Sequence, residues 1–289
     1  MKFGLAFASS VGTDPDSSLE ICRLAESLGF ESVWGGEHAI RPDHIESPYP
    51  YTEDGQMPGD AETPIPDPLV WLAYVASAAP SLRLGTCILI LPQRNPVVLA
   101  KELATLDHLT GGRVELGIGV GWLEEEFRAL GVPWERRGAR TDEYVAAMRA
   151  LWAGPHAEFH GEFADFPPAT CSPRPPGGSI PITVGGDTPA ALRRAARIAD
   201  GYFPGTFDPD GLRALLAGLA RAAAAEGRDP KEIEISAILA APQANSARRV
   251  EQLADLGVSR AMVPAFFFAG PGGLQRLEEF GRAVVGPYS

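Results

Sequence analysis

The chain has 289 residues, of which 45% are hydrophobic and 21% are charged, a balance typical of a globular protein. Its formal net charge of -12 argues against a nucleic-acid binder, because phosphate contacts need clustered lysine and arginine. The absence of a signal peptide and of any run of about 18 apolar residues predicts a cytoplasmic protein with no membrane partner. Three widely spaced cysteines with no CxxC pair argue against a disulfide framework or a zinc site.

The first residues predict a unit of strand, helix and strand. Residues 3–8 form a short apolar run that suits a buried strand. Asp14 and Pro15 mark the start of a helix, which Gly29 ends, and residues 32–35 follow at once as a second strand. Because the connections are tight and a helix lies between the strands, the two strands should be parallel.

Residues 41–68 interrupt this rhythm. The segment is dense in proline, aspartate, glycine and tyrosine, and it has no apolar period. A long loop of this kind in a compact domain is most often functional, so it predicts an ordered excursion or a lid over a site. A disordered surface insertion is the alternative.

From residue 68 to the end, helix and strand alternate again, with a hairpin excursion at 155–180. Together with the first unit this gives eight strands in alternation with eight helical segments, the helices 123–130 and 138–152 counting as one segment, and no linker; it predicts one (β/α)8 TIM-barrel domain over residues 1–289, with excursions after strand 2 and before strand 5. An open doubly wound sheet is the alternative. The predicted helices are 68–79, 97–109, 123–130, 138–152, 189–199, 209–226, 245–256 and 272–285, and the remaining strands are 82–91, 113–118, 180–184, 201–204, 233–239 and 259–263.

In a barrel of this type the active site lies at the carboxyl ends of the strands. The residues after the last three strands (Gly205, Pro242 and Pro264) are small or rigid and include no acid or base. No lysine lies at such a strand end, which disfavours a Schiff-base aldolase. The candidate site residues are therefore Glu37 and His38 after the second strand, 87–92 in the third, 119–122 after the fourth and 185–188 after the fifth.

Two glycine turns, 119–121 and 185–186, each follow a predicted strand and precede a predicted helix. Such a turn presents backbone N–H groups and the positive end of a helix dipole to an anion. Tight strand-to-helix turns also use glycine, so a purely structural role is the alternative. His156 and His160 have the spacing of metal ligands, but they lie in a turn-rich hairpin, and no metal site is predicted.

Several long motifs, in order along nearly the whole chain, resemble the luciferase-like monooxygenase (LLM) superfamily, and most closely its probable oxidoreductases that use the deazaflavin coenzyme F420. The motifs are 84–96, 100–107, 109–122, 125–127, 140–144, 184–186, 191–197 and 200–201. The resemblance implies a TIM-like barrel that holds FMN or F420 at its C-terminal face, with the ring over the ends of the first strands.

The resemblance also implies which residues bind the cofactor. A non-prolyl cis peptide at Cys87–Ile88 would support the ring, with Cys87 as a small backing residue. The phosphate would lie on Gly119, Val120, Gly121 and Trp122 on one side and on Gly185, Gly186, Asp187 and Thr188 on the other. Asp187 is a departure, because a carboxylate near a phosphate is unfavourable unless it points away or caps the helix.

Glu37 and His38 match an acidic-histidine pair near the reactive edge of the ring in relatives, which implies catalytic roles for both. His38 could hydrogen-bond the coenzyme or shuttle a proton, and a purely structural histidine is the alternative. Trp122 occupies the position where the sugar-phosphate dehydrogenases of this superfamily have an acidic residue. The resemblance therefore argues against a sugar phosphate as the substrate, and Trp122 offers an apolar wall instead.

Three functions follow, in order of preference. The first is hydride transfer between F420 and a small organic substrate. The second is an FMN-dependent monooxygenase supplied with reduced flavin by a partner flavin reductase, and the third is a non-enzymatic flavin-binding protein. Relatives commonly dimerise, which implies a homodimer; the alanine-rich segment 213–226 could pack against another subunit or simply cover the barrel.

Overall fold

The computed structural model describes residues 1–11, 13–239 and 246–288. Within these residues, eight parallel strands form a closed barrel, and a separate antiparallel hairpin lies outside it. The strands are β1 (Lys2–Ala6), β2 (Ser32–Gly35), β3 (Arg83–Thr86), its continuation β4 (Leu89–Ile90), β5 (Val114–Gly119), the hairpin strands β6 (Ala157–His160) and β7 (Asp165–Ala169), β8 (Ile182–Gly185), β9 (Gly201–Phe203), β10 (Glu234–Ile238) and β11 (Arg260–Pro264).

The strand pairings decide between a barrel and an open sheet. The spatial order is β3, β2, β1, β11, β10, β9, β8, β5, and β3 then pairs with β5 through Leu84 opposite Val114. This last pairing leaves no free edge. The predicted (β/α)8 barrel is therefore confirmed, and the alternative of an open doubly wound sheet is wrong.

The helices begin where the sequence places a capping residue followed by proline. Asp14 accepts hydrogen bonds from Asp16 N and Ser17 N, while Thr188, rather than Asp187, accepts from Ala191 N. The α-helices are α1 (Pro15–Ser27), α2 (Pro68–Val75), α3 (Pro96–Leu109), α4 (Glu124–Ala129), α5 (Arg137–Ala153), α6 (Pro189–Ile198), α7 (Pro209–Ala225), α8 (Ser246–Asp255) and α9 (Gly273–Phe280). Asn245, the predicted first residue of α8, and Pro242 lie outside the described residues.

Two predicted helices extend too far along the chain. The helix predicted over 68–79 ends at Val75, after which Ala78 N donates to Val75 O at 2.9 Å in a tighter turn. The helix predicted over 272–285 is an α-helix only to Phe280, after which residues Gly281–Val285 form one π-helical turn. None of the described helices is long and apolar enough to cross a membrane.

The third barrel strand is divided where the sequence predicts a continuous strand over 82–91. β3 ends at Thr86, β4 begins at Leu89, and the Cys87–Ile88 peptide bond between them is cis, as the family resemblance implies. The excursion before the fifth barrel strand is the β6–β7 hairpin, where His160 Nδ1 donates to Asp165 Oδ1 across 2.7 Å. Among the described residues, no group of three or more histidines, cysteines or carboxylates could hold a metal ion.

The barrel interior has a polar floor and an apolar upper layer. Near the amino ends of the strands, Arg260 is 1% exposed and its guanidinium contacts Glu31 at 3.0 Å, Glu115 at 3.1 Å and Glu234 at 2.9 Å. The indole of Trp34 lies above it, 5.1 Å from the Arg260 guanidinium carbon. The layer toward the carboxyl ends consists of Ala6, Cys87, Phe203, Ile238 and Met262.

Replacing Arg260 by leucine should destabilise the barrel strongly, because three carboxylates would lose a shared buried cation. We expect the free energy of unfolding to fall by about 3–5 kcal/mol in urea denaturation, the usual cost of removing one partner of a buried ion pair. Arg282→Leu is the control, since Arg282 is exposed and, within the described part of the chain, pairs only with Glu278 four residues away. It should change stability by less than about 0.5 kcal/mol. Equal effects of the two substitutions would contradict this assignment.

Candidate active site at the carboxyl ends of the strands

The predicted site residues of β2, β4, β5 and β8 converge at one mouth of the barrel. Ile88 lies between the two glycine turns: a Cβ atom at position 119 would lie 2.5 Å from its Cδ1, and one at position 185 would lie 2.9 Å from its Cγ2. Gly119 and Gly185 are therefore needed for Ile88 to fit. Burial raises the pKa of the Cys87 thiol to about 12, which keeps it protonated and suits a packing role rather than a nucleophile.

His38 is held from two sides. Its Nδ1 lies 3.2 Å from Oε2 of Glu126, and the edge of its ring meets the indole of Trp122 at a centroid distance of 5.9 Å and an interplanar angle of 81°. Its side chain is 12% exposed. Its Nε2 has no hydrogen-bond partner among the described residues. His38 thus has a fixed ring plane, and one ring nitrogen is free to bind a ligand.

The Glu126 carboxylate accepts all the hydrogen bonds that hold this arrangement together, and the sequence did not point to it as a site residue. Its side chain is 0% exposed, yet Oε1 accepts from Ala39 N at 2.5 Å and Ile40 N at 3.3 Å, and Oε2 also accepts from Gln93 Nε2 at 3.1 Å. Burial acts to raise the pKa of Glu126, but its hydrogen bonds, that with His38 first, lower it below the ordinary value. The motif 125–127 supports the family resemblance without revealing this role.

Glu37 has different partners from its neighbour His38. Its Oε2 accepts from Ile90 N at 2.5 Å, and its Oε1 accepts from Nε of Arg94 at 2.8 Å and from a second Arg94 nitrogen. The same Arg94 guanidinium contacts Asp67 at the end of the long loop. Burial raises the pKa of Glu37 against the opposing effect of Arg94. Because both oxygens are engaged, this carboxylate suits a structural support of β4 better than a proton donor.

The long loop after β2 is fastened to α4 by a second carboxylate. Glu125 accepts from Glu46 N at 2.7 Å, from Ser47 N at 3.0 Å and from Ser47 Oγ at 2.8 Å. Although burial acts to raise it, these hydrogen bonds lower the pKa of Glu125 to about 2. Glu126 thus binds the start of the loop at residues 39–40, and its neighbour Glu125 binds the loop again at Glu46 and Ser47.

Aromatic rings of this loop reach across the barrel mouth. Tyr49 packs edge-on against Trp122 at 5.1 Å and against Tyr51 at 5.4 Å between ring centroids. Tyr51 in turn lies against the end of β9, where a Cβ atom at Gly205 would be 2.2 Å from Tyr51 Cε1. These contacts agree with the expected ordered excursion over the site rather than with a disordered insertion.

Asp187 points away from the second glycine turn. Its Oδ1 accepts from Gly205 N at 2.8 Å, and burial raises the pKa of its carboxyl. Gly186, with a φ of 109°, keeps a backbone that other residues rarely adopt, and its carbonyl accepts from Tyr202 Oη at 3.0 Å. A carboxylate facing a bound phosphate would be unfavourable, but the Asp187 carboxylate bonds instead to Gly205, just after β9.

Arg137 supplies a cation at the first glycine turn, and no sequence motif pointed to it. Its Nε donates to Gly121 O at 3.3 Å, and its guanidinium carbon lies 3.5 Å from the ring centroid of Trp134. Burial lowers the pKa of Arg137 below its ordinary value, although the charge of Glu124 acts to raise it. Gly121 has a φ of 78°, and a Cβ there would lie 2.6 Å from Phe127. Only glycine fits at position 121, and the Arg137 cation lies beside this turn, an arrangement compatible with an anionic group.

Comparisons with known proteins agree with this geometry. A sequence profile of the luciferase-like monooxygenases matches residues 1–281. An uncharacterized protein of Mycobacterium tuberculosis, Rv0940c, is 36% identical over 264 residues, 91% of this chain and 88% of its own. The FMNH(2)-dependent dimethylsulfone monooxygenase of Pseudomonas putida is 36% identical over 141 residues, 47% of this chain and 39% of its own. The coenzyme F420 dependent tetrahydromethanopterin reductase of Methanopyrus kandleri shares the fold, with a TM-score of 0.79, 19% identity, and coverage of 100% of this chain and 99% of that one.

Replacing Glu125 by alanine should loosen the middle of the loop. We expect the amide hydrogens of Glu46 and Ser47 to exchange several-fold faster, because they lose a charged acceptor. Glu124→Ala is the control, since the Glu124 carboxylate instead pairs with Arg128. Because the folded-state pKa of Glu125 is about 2 rather than 4.5, the fastening is present above pH 4.5 and weakens as the pH falls toward 2. Unchanged exchange in the alanine variant would refute the fastening.

Proposed function

The chain belongs to the luciferase-like monooxygenase family, and within it we propose an oxidoreductase that transfers hydride between coenzyme F420 and a small organic substrate. The observation that carries the proposal is His38, a histidine at the barrel mouth whose Nδ1 is engaged by a buried carboxylate. Its Nε2 can therefore exchange a proton with a bound molecule.

The described residues suit a flavin-like ring. A planar ring can lie on the apolar layer of Ala6, Cys87, Phe203, Ile238 and Met262, and Ile88 lies between the two glycine turns. We assign the cofactor phosphate to the backbone of 119–122 and 185–188. Arg137 would supply the opposite charge beside Gly121.

Bound F420 supplies a two-electron hydride carrier that does not activate oxygen. Nε2 of His38 would accept the proton that the hydroxyl group of an alcohol substrate loses on oxidation, and in the reverse direction the same nitrogen would return it. Trp122, Tyr49 and Tyr51 form a row of aromatic rings at the mouth, which would reduce the access of water to a bound substrate. This row favours a small substrate without charge. Glu37 would support the bulged strand through Arg94 and Ile90 rather than take part in proton transfer.

The FMN-dependent monooxygenase remains the second candidate, and one observation favours it. The relative that is an FMNH(2)-dependent monooxygenase is 36% identical to this chain, although over only 47% of it. This function would require a partner flavin reductase. The F420 proposal draws support from the reductase whose fold matches over the full length of both chains.

Titration of the purified protein with F420 and with FMN tests the proposal. We expect saturable quenching of F420 fluorescence and no saturable response to FMN at the same concentrations. Riboflavin serves as the control for nonspecific association of a flavin ring. Tight FMN binding without an F420 response would overturn the first candidate and favour the second.

Replacing Arg137 by alanine should weaken the binding of F420 roughly tenfold, the effect of losing one charge-assisted hydrogen bond of about 1.5 kcal/mol. Binding of the deazaflavin chromophore without its phosphate should not change. Arg128→Ala is the matched control, because Arg128 is exposed and, among the residues that the structure describes, its guanidinium pairs only with Glu124. If Arg137→Ala weakened both ligands equally, the role assigned to Arg137 would be wrong.

A further inference from the structure

We propose that Glu126 is a positioning residue that fixes the tautomer of His38, with the proton on Nδ1 and the lone pair of Nε2 directed to the reacting molecule. This inference rests on the proposed function only for its consequence in turnover. The tautomer itself is a property of the protein without any cofactor.

Three N–H donors surround the Glu126 carboxylate, and against the effect of burial they and the bond to His38 hold its pKa below the ordinary value, so the group is ionised and both oxygens are acceptors. Oε1 accepts from Ala39 N and Ile40 N, and Oε2 accepts from Gln93 Nε2. Each of these donors has a fixed hydrogen, so Oε2 is an acceptor toward His38 as well. The Nδ1 atom, 3.2 Å away, must then be the donor.

The position of the carboxylate makes this constraint strong. Glu126 is 0% exposed, so water cannot substitute for the imidazole as a donor. The edge of the Trp122 indole meets the ring, and a 180° flip about the Cβ–Cγ bond would place Cδ2, a carbon, beside the carboxylate in place of the Nδ1 donor. A buried carboxylate that orients a catalytic histidine through Nδ1 is a known way to place the basic lone pair on Nε2.

The substitution Glu126→Gln separates two roles of this side chain, binding the start of the loop and fixing the tautomer of His38. The amide oxygen can still accept from Ala39 N and Ile40 N, so the start of the loop stays bound. The amide NH2 then faces His38 and Gln93; the Gln93 amide can turn its own oxygen toward it, and Nδ1 of His38 must become the acceptor. The proton should move to Nε2, the tautomer that cannot accept a proton from the substrate.

Nitrogen-15 NMR of the imidazole rings in the cofactor-free protein reads the tautomer directly. The chain has 5 histidines, and His38→Asn identifies the signals of His38 by their loss. We expect the Nδ1–H form in the wild-type protein and the Nε2–H form in Glu126→Gln. Glu125→Gln is the matched control, since this neighbour also binds the loop but does not contact His38, and it should keep the wild-type tautomer.

In turnover with F420, Glu126→Gln should lower kcat by about 100-fold or more while KM changes by less than about threefold, the lower bound expected for loss of a general base. An Nε2–H form in the wild-type protein, or an unchanged tautomer in the glutamine variant, would overturn the inference. A shifted tautomer with unchanged kcat would also overturn the positioning role. If the variant does not fold, the wild-type spectrum alone still decides which tautomer His38 adopts. Failure of the protein to bind F420 would not affect that result.

Discussion

An ionised carboxylate that is wholly removed from water must be surrounded by hydrogen-bond donors, and at Glu126 this requirement organises the barrel mouth. Its donors come from His38, from the two residues that follow it, and from Gln93 after the third barrel strand. Satisfying one side chain therefore fixes the end of β2, the start of the long loop and the orientation of the histidine together.

Charge is distributed very unevenly along the barrel axis. At the amino ends of the strands, Arg260 pairs with three carboxylates, to which Lys2 and Arg83 also lie close, and this polar network closes the barrel. The layer above it is apolar, and the mouth carries two glycine turns, with Arg137 beside the first of them. A planar ring with a charged tail is compatible with this order only if its ring lies on the apolar layer and its tail on the turns.

Much of the fold could be predicted because its signals are local. Apolar runs gave the strands, and capping residues followed by proline gave the starts of the helices, as at Asp14 and Thr188. The site was predictable to the extent that it lies at strand ends. The partners of its side chains were not, because Glu37 pairs with Arg94 57 residues later and His38 with Glu126 88 residues later.

The same limit explains the missed residues. Glu126 looks from the sequence like an ordinary acidic residue in the first turns of a helix, and Arg137 like one of several surface arginines. Only the packing of α4 against the loop and of α5 against the first glycine turn gives them a place in the site. Asp187 was recognised as a departure, but its bond to Gly205 depends on how β8 and β9 lie together.

The most direct test of this account is the backbone amide spectrum of the whole chain, recorded by TROSY NMR as F420 is added. We expect the largest shifts at 119–122 and 185–188, with smaller ones at Arg137 and His38. A cleft of ≈ 600 Å³ lies at the amino ends of β10 and β11, lined by residues that include Lys231, Ile233 and Ser259. Shifts centred on that cleft, with the glycine turns unchanged, would contradict the assignment of the site.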